Sequence, residues 1–179
     1  HNLAITLSLN SGQMSTTPQT LFVPACGVRT PDGIVDAEEF GRQLSSAIGR
    51  FLDNPEHAVE VLGAIQSHET EERIEFCSDL GLVLRESVTL AHPKFPQARV
   101  RTPLLVKIPV DDHHTWMVER FGPISFIVET ASTATSLAVA ERTIRERGAI
   151  TFSVYSTDEN ILQLADDVSL RTGVSLSLN

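Results

Sequence analysis

Apolar positions along the chain follow two spacings, and the switches between them divide it into short elements. Compact apolar or β-branched runs predict strands over 21–23, 82–85, 104–108, 124–128 and 149–155. The run 124–128, Ile-Ser-Phe-Ile-Val, is almost wholly apolar, as expected of a strand covered on both faces. Elsewhere the spacing is helical. Phe40, Leu44, Ala47, Ile48, Phe51 and Leu52 share one face of a helix that Asp36 opens as N-cap, with Glu39 in capping-box position and Asn54-Pro55 as the stop.

A short helix over 55–62 and a turn at 63–65 follow. From Ser67 the pattern of Glu72, Ile74, Phe76, Cys77 and Leu80 predicts an acidic amphipathic helix closed by Gly81. Ser132 caps a helix carrying Leu137, Ala138, Ala140 and Ile144, with Arg142, Arg145 and Arg147 near a C-terminal end where the macrodipole favours cations. Gly148 ends it. Thr157-Asp158 opens the last helix, whose apolar face is Ile161, Leu164, Ala165 and Val168, and Gly173 separates it from the strand-like run 174–178. Gly, Pro and Asp mark 25–33 as a loop, 91–99 as a loop or edge segment and 111–114 as a polar loop. The strand, helix, strand, helix, strand order of the last third implies right-handed crossovers, hence an α/β fold with a mostly parallel sheet covered by helices.

The 179 residues make one domain's worth of chain, enough to bury roughly two thirds of the surface exposed when unfolded. With 14 basic against 23 acidic residues the formal charge is −9, which repels nucleic acid and anionic lipid, so neither is expected as a partner. Cys26 and Cys77 have no CxxC spacing, which argues against a disulfide framework or a thiolate zinc site and fits a reducing cytoplasm. No apolar stretch approaches the about 20 residues of a membrane span. The chain starts in an apolar run, 1–9, without a cap, and its end is equally abrupt, so a fragment of a longer polypeptide is expected, with 1–179 as one domain.

One stretch organises the rest: Asn10-Ser11-Gly12-Gln13-Met14-Ser15-Thr16-Thr17-Pro18, set between the apolar run ending at Leu9 and Leu21-Phe22-Val23-Pro24. Asn, Ser and Gly supply backbone permissiveness, and Pro18 keeps a ladder from starting before it. Ser15 is thereby presented at a bend where backbone N–H groups can point at a ligand, as oxyanion sites require. This stretch resembles the nucleophile segment of the aldehyde dehydrogenase superfamily, Asn-x-Gly-Gln-x-Cys-Thr-x-Pro followed by Phe-Val. Val118-Glu119-Arg120-Phe121-Gly122-Pro123-Ile124 resembles that family's Glu-x-Phe-Gly-Pro-Val element, in the order and at about the spacing the family uses. Within the family, the wording Gly-Gln-Met-x-Thr-Thr-Pro-Gln is similar to the phenylacetic acid degradation branch, which oxidises a ring-opening semialdehyde.

The resemblance implies the catalytic domain of an aldehyde dehydrogenase, a small-molecule aldehyde as substrate, NAD or NADP as cofactor, a cytoplasmic homo-oligomer, and a nucleotide-binding domain upstream of this chain. It assigns Ser15 the nucleophile's position and Glu119 and Phe121 the cofactor. A carboxylate such as Glu119 can accept both hydroxyls of a nicotinamide ribose, and a ring such as Phe121 can pack on the nicotinamide. Standing alone, those two residues read as a loop glutamate and a core phenylalanine. The family's oxyanion donors are the backbone N–H at position 15 and an upstream Asn. Its general-base Glu and Gly-rich turn also lie upstream, so this chain by itself is expected to be inactive.

The family's nucleophile is a cysteine, and here the position holds Ser15. A thiol with pKa near about 8.5 is partly thiolate at neutral pH, whereas a serine hydroxyl needs a strong adjacent base. Three explanations stay open: an engineered inactivating substitution, a natural variant without dehydrogenase activity, or a plain turn serine. The rival of another class is a non-catalytic interaction or dimerisation module. A serine hydrolase acting through Ser15 would need a histidine within reach, and the sequence nominates none. Asp111-Asp112-His113-His114 has metal-ligand residue types but reads as a solvated loop, and His68-Glu69 lacks a second histidine at i+4, so no metal site is expected.

Overall fold

The computed structural model describes residues 1–179. The opening apolar run is a helix, α1 (Asn2–Ser8), which buries Leu3, Ala4 and Leu7 and passes into a tight 3-10 turn at Leu9–Gly12. Strand β1 (Thr20–Pro24) comes next. The expected loop at 25–33 is partly a small antiparallel hairpin of β2 (Val28–Thr30) and β3 (Gly33–Val35). Its strands are three residues long, too short for an apolar period to stand out among the turn residues.

Helix α2 (Ala37–Phe51) begins where the cap predicts, with the Asp36 carboxylate accepting from the Glu39 N–H at 2.8 Å. The reciprocal arm of the capping box is absent, because the Glu39 carboxylate accepts from Gln43 instead. Helix α3 (Pro55–Leu62) is capped by Asn54. Helix α4 (His68–Ser78) precedes β4 (Leu82–Arg85), and β5 (Thr89–Leu90) pairs with β6 (Val100–Arg101) around the 91–99 loop. After β7 (Leu104–Ile108) the expected polar loop at 111–114 is half helical, as a single turn, α5 (His113–Trp116). Then come β8 (Ile124–Thr130), α6 (Thr133–Arg147), β9 (Thr151–Val154), α7 (Glu159–Thr172) and β10 (Ser175–Leu178).

The main sheet has the order β1-β8-β7-β4, with both β8 pairings parallel and β4 antiparallel to β7. Alternation along its central strands sorts the core into two layers. Leu104, Val106 and Ile108 of β7 and Ile124, Phe126 and Val128 of β8 face Ile74 and Cys77 of α4 and Trp116 of α5. Leu105 turns the other way onto Leu3, Ala4 and Leu7 of α1 and Leu44 and Ile48 of α2, as Ile127 does onto Ala37. A sheet so covered explains the almost wholly apolar run of β8.

The last third departs from a single continuous sheet. Strands β9 and β10 pair in parallel with each other and not with the main sheet. Helix α7 consequently packs on α6 and its own two strands. Leu164, expected on the buried face, is 49% exposed on a groove between α6 and α7. No helix is long and apolar enough to cross a membrane.

Candidate active site

The chain enters the Asn10–Pro18 stretch through an unusual backbone. Asn10, Ser11 and Gly12 occupy the left-handed region in succession, with φ of 51°, 50° and 63°. For Asn and Ser this conformation costs about 1–3 kcal/mol each and persists only where surroundings over-determine it. They do. The buried Ser11 hydroxyl donates to the Arg101 carbonyl at 3.0 Å. The Gln13 side-chain amide donates to Asn10 and Ala64 carbonyls at 3.1 and 3.0 Å and accepts from the Gln66 N–H at 3.0 Å.

Past this anchored bend the chain turns outward. Met14, Ser15 and Thr16 are exposed, and a 3.0 Å bond from the Thr17 N–H to the Met14 carbonyl closes a turn over Ser15. The Ser15 N–H and hydroxyl have no partner within the chain. An unpaired N–H at an exposed bend is what an oxyanion donor needs before its ligand arrives. The hydroxyl has no histidine hydrogen-bonded to it, so a hydrolase mechanism finds no base here.

The second motif lies directly against the first. A Cβ built on Gly12 would stand 2.5 Å from the Gly122 carbonyl oxygen and 2.9 Å from the Pro123 Cα, so the two chains meet backbone to backbone. Ser125 donates to the Pro18 carbonyl at 3.0 Å, and Thr20 to the Trp116 carbonyl at 3.0 Å. Glu119 and Phe121 therefore sit on a segment packed along the one that carries Ser15. Both point outward: Phe121 is 42% exposed, and the exposed Glu119 carboxylate makes no hydrogen bond or ion pair.

Beneath those two side chains the main chain is tied down. Arg73 of α4 donates to the Phe121 carbonyl at 2.6 Å, the Ile124 N–H to the Gly122 carbonyl at 2.8 Å, and the Leu104 N–H to the Pro123 carbonyl at 2.8 Å. Gln19 holds the other end. Sequence reasoning passed over both Arg73 and Gln19; the one available signal for Gln19 was a long polar side chain between Pro18 and an apolar strand. Phe76, counted in the apolar pattern of α4, is instead 54% exposed, with the Arg120 guanidinium 5.6 Å above its ring. The His113 and Asp111 neighbourhood assembles no metal-ligating group.

Neither a protein-family model nor a curated protein matches the chain. Solved structures do. An NAD-dependent aldehyde dehydrogenase from Burkholderia multivorans superposes with a TM-score of 0.95 at 44% sequence identity, over 99% of this chain and 32% of its own. The fold is that of the aldehyde dehydrogenase catalytic domain.

More distant solved structures agree on the fold alone. An NAD-dependent benzaldehyde dehydrogenase from Corynebacterium glutamicum gives a TM-score of 0.55 at 13% identity, covering 98% of this chain and 34% of that one. A proline utilization A mutant from Bradyrhizobium japonicum gives 0.64 at 18% identity, covering 99% and 17%. The chain thus spans about a third or less of each of these relatives.

Proposed function

We propose that this chain is the catalytic domain of an NAD- or NADP-dependent aldehyde dehydrogenase whose nucleophile position holds Ser15. The observation that carries the reading is the backbone contact of Gly12 with Gly122, which joins the two motifs into one surface on this fold. On this reading the upstream part of the polypeptide supplies the nucleotide-binding domain and the water-activating base. When bound, the cofactor would supply the hydride acceptor. Glu119, free of internal partners, would hold its nicotinamide ribose and the exposed Phe121 ring would pack on the nicotinamide. The unpaired Ser15 N–H would donate to the developing oxyanion.

A serine hydroxyl without a base leaves the addition step unactivated, so Ser15→Cys in the full-length polypeptide is the decisive variant. NADH formation on addition of aliphatic and aromatic aldehydes supports the reading; a folded cysteine variant inert to the whole panel overturns it. The wording of residues 12–19 extends the proposal to the ring-opening semialdehyde of phenylacetate degradation as substrate, in a cytoplasmic homo-oligomer. Preference for an open-chain CoA-thioester semialdehyde over simple aldehydes tests that extension. The competing reading, a non-catalytic interaction or dimerisation module, requires that the full-length protein bind no NAD(H) on titration.

A further inference from the structure

We infer that Gln19 is a positioning residue, which carries the placement of the Ser15 turn across to Glu119 and so sets the nicotinamide-ribose subsite; the inference rests on the dehydrogenase reading. Its side-chain amide brackets Glu119. The Gln19 Nε2 donates to the Val118 carbonyl at 2.9 Å and to the Trp116 carbonyl at 3.3 Å, while its Oε1 accepts from the Arg120 N–H. The Val118 carbonyl and the Arg120 N–H belong to the two peptide units on either side of Glu119, and the Trp116 carbonyl to a unit nearer the start of the segment. A primary amide offers a donor and an acceptor side by side, so one residue grips both units as a neighbouring strand would.

Gln19 is itself immobilised. Pro18 precedes it, β1 begins at the next residue, and its own carbonyl accepts from the Phe126 N–H at 2.7 Å. The Glu119 side chain has no partner of its own to fix it, so the direction of its Cα–Cβ bond comes from the bracketed backbone. Trp116, just upstream, is held independently by its indole N–H on the Val110 carbonyl at 3.2 Å. Phe121, downstream, is held by Arg73. Between these anchors the peptide units flanking Glu119 depend on Gln19. Glutamate at this position would set an oxygen against the Val118 carbonyl, asparagine would fall one methylene short, and leucine would supply none of these bonds.

The test is titration of the full-length protein and its Gln19→Leu variant with NADH and with ADP, which lacks the nicotinamide ribose. The expected result is NADH binding weakened about tenfold or more with ADP binding unchanged, the loss of the hydrogen bonds to the two peptide units flanking Glu119 acting at one subsite. Equal NADH affinity in the two proteins overturns the inference and leaves the dehydrogenase reading standing. Parallel loss of NADH and ADP also overturns it, since that marks a merely structural residue. Wild-type protein that binds neither nucleotide overturns the dehydrogenase reading and this inference with it. Should Gln19→Leu not fold, Gln19→Asn is scored on the same two ligands by the same criteria.

Discussion

Gly12 and Gly122, separated by most of the chain, meet so closely that the space for a Cβ on one is filled by the carbonyl oxygen of the other, 2.5 Å away. Gly12 also sits at a φ of 63°, so an L side chain there faces a clash and a strained backbone together. Gly12→Ala is expected to destabilise the fold by about 2 kcal/mol or more. Gly148 has a φ of 79° with nothing near its missing Cβ, so Gly148→Ala should cost only about 1 kcal/mol. Urea unfolding of the two variants measures the difference, and equal losses would mean that the motif contact carries no weight.

Phe126 is wholly buried in the layer that contains Trp116, the only tryptophan. Removing its ring leaves a cavity beneath the candidate site, and Phe126→Ala is expected to cost about 3–5 kcal/mol. Trp116, 1% exposed and edge-on to Phe22 at 5.3 Å, reports the transition by its fluorescence. A shift in midpoint worth less than about 1 kcal/mol would contradict the packing described.

Helices α6 and α7 are joined by Glu141, which takes Arg171 at 2.6 Å and Arg145 at 2.8 Å. These two guanidiniums, Arg171 first, hold its carboxyl at about 2, down from 4.5. With the folded pKa depressed, the stabilisation is complete above the unfolded value and drains away as pH falls from about 4.5 towards about 2. Amide exchange in α7 should therefore accelerate between about pH 5 and pH 3 beyond the intrinsic change, and Glu141→Gln should remove that dependence. An identical profile in the variant would assign the acid sensitivity elsewhere.

The two cysteines differ in access. Cys26 is exposed, while Cys77 is fully buried and burial pushes its thiol up. Iodoacetamide at neutral pH is expected to label Cys26 in the native chain and Cys77 only on unfolding, read by mass spectrometry of the peptides. Native labelling of Cys77 would place an opening at α4.

Local chemistry was legible, and long-range chemistry was not. Asp36 and Ser132 cap the helices the sequence assigns them, and Asp158 caps the helix whose start it marks, because a cap engages residues two or three positions away; Asn54, legible only as a stop, also caps the helix that follows. The both-faces burial of β8 was equally plain, since five apolar-rich positions carry it. That β9 stands apart from the main sheet has no local signature; strand order is decided by packing across the whole molecule. At the candidate site, motif wording nominates Ser15, Glu119 and Phe121, and the structure brings their two segments together. Gln19 and Arg73 escaped because their partners lie 97 or more and 48 positions away along the chain.

The segment around Glu119 and Phe121 combines a pinned main chain with outward side chains, of which the Glu119 carboxylate makes no hydrogen bond or ion pair. Freezing a backbone residue costs about 1–2 kcal/mol of conformational entropy, and here that loss is incurred when the chain folds. A molecule arriving at this surface has only a few side-chain torsions left to order, so its affinity is spared the larger penalty that a floppy loop would exact.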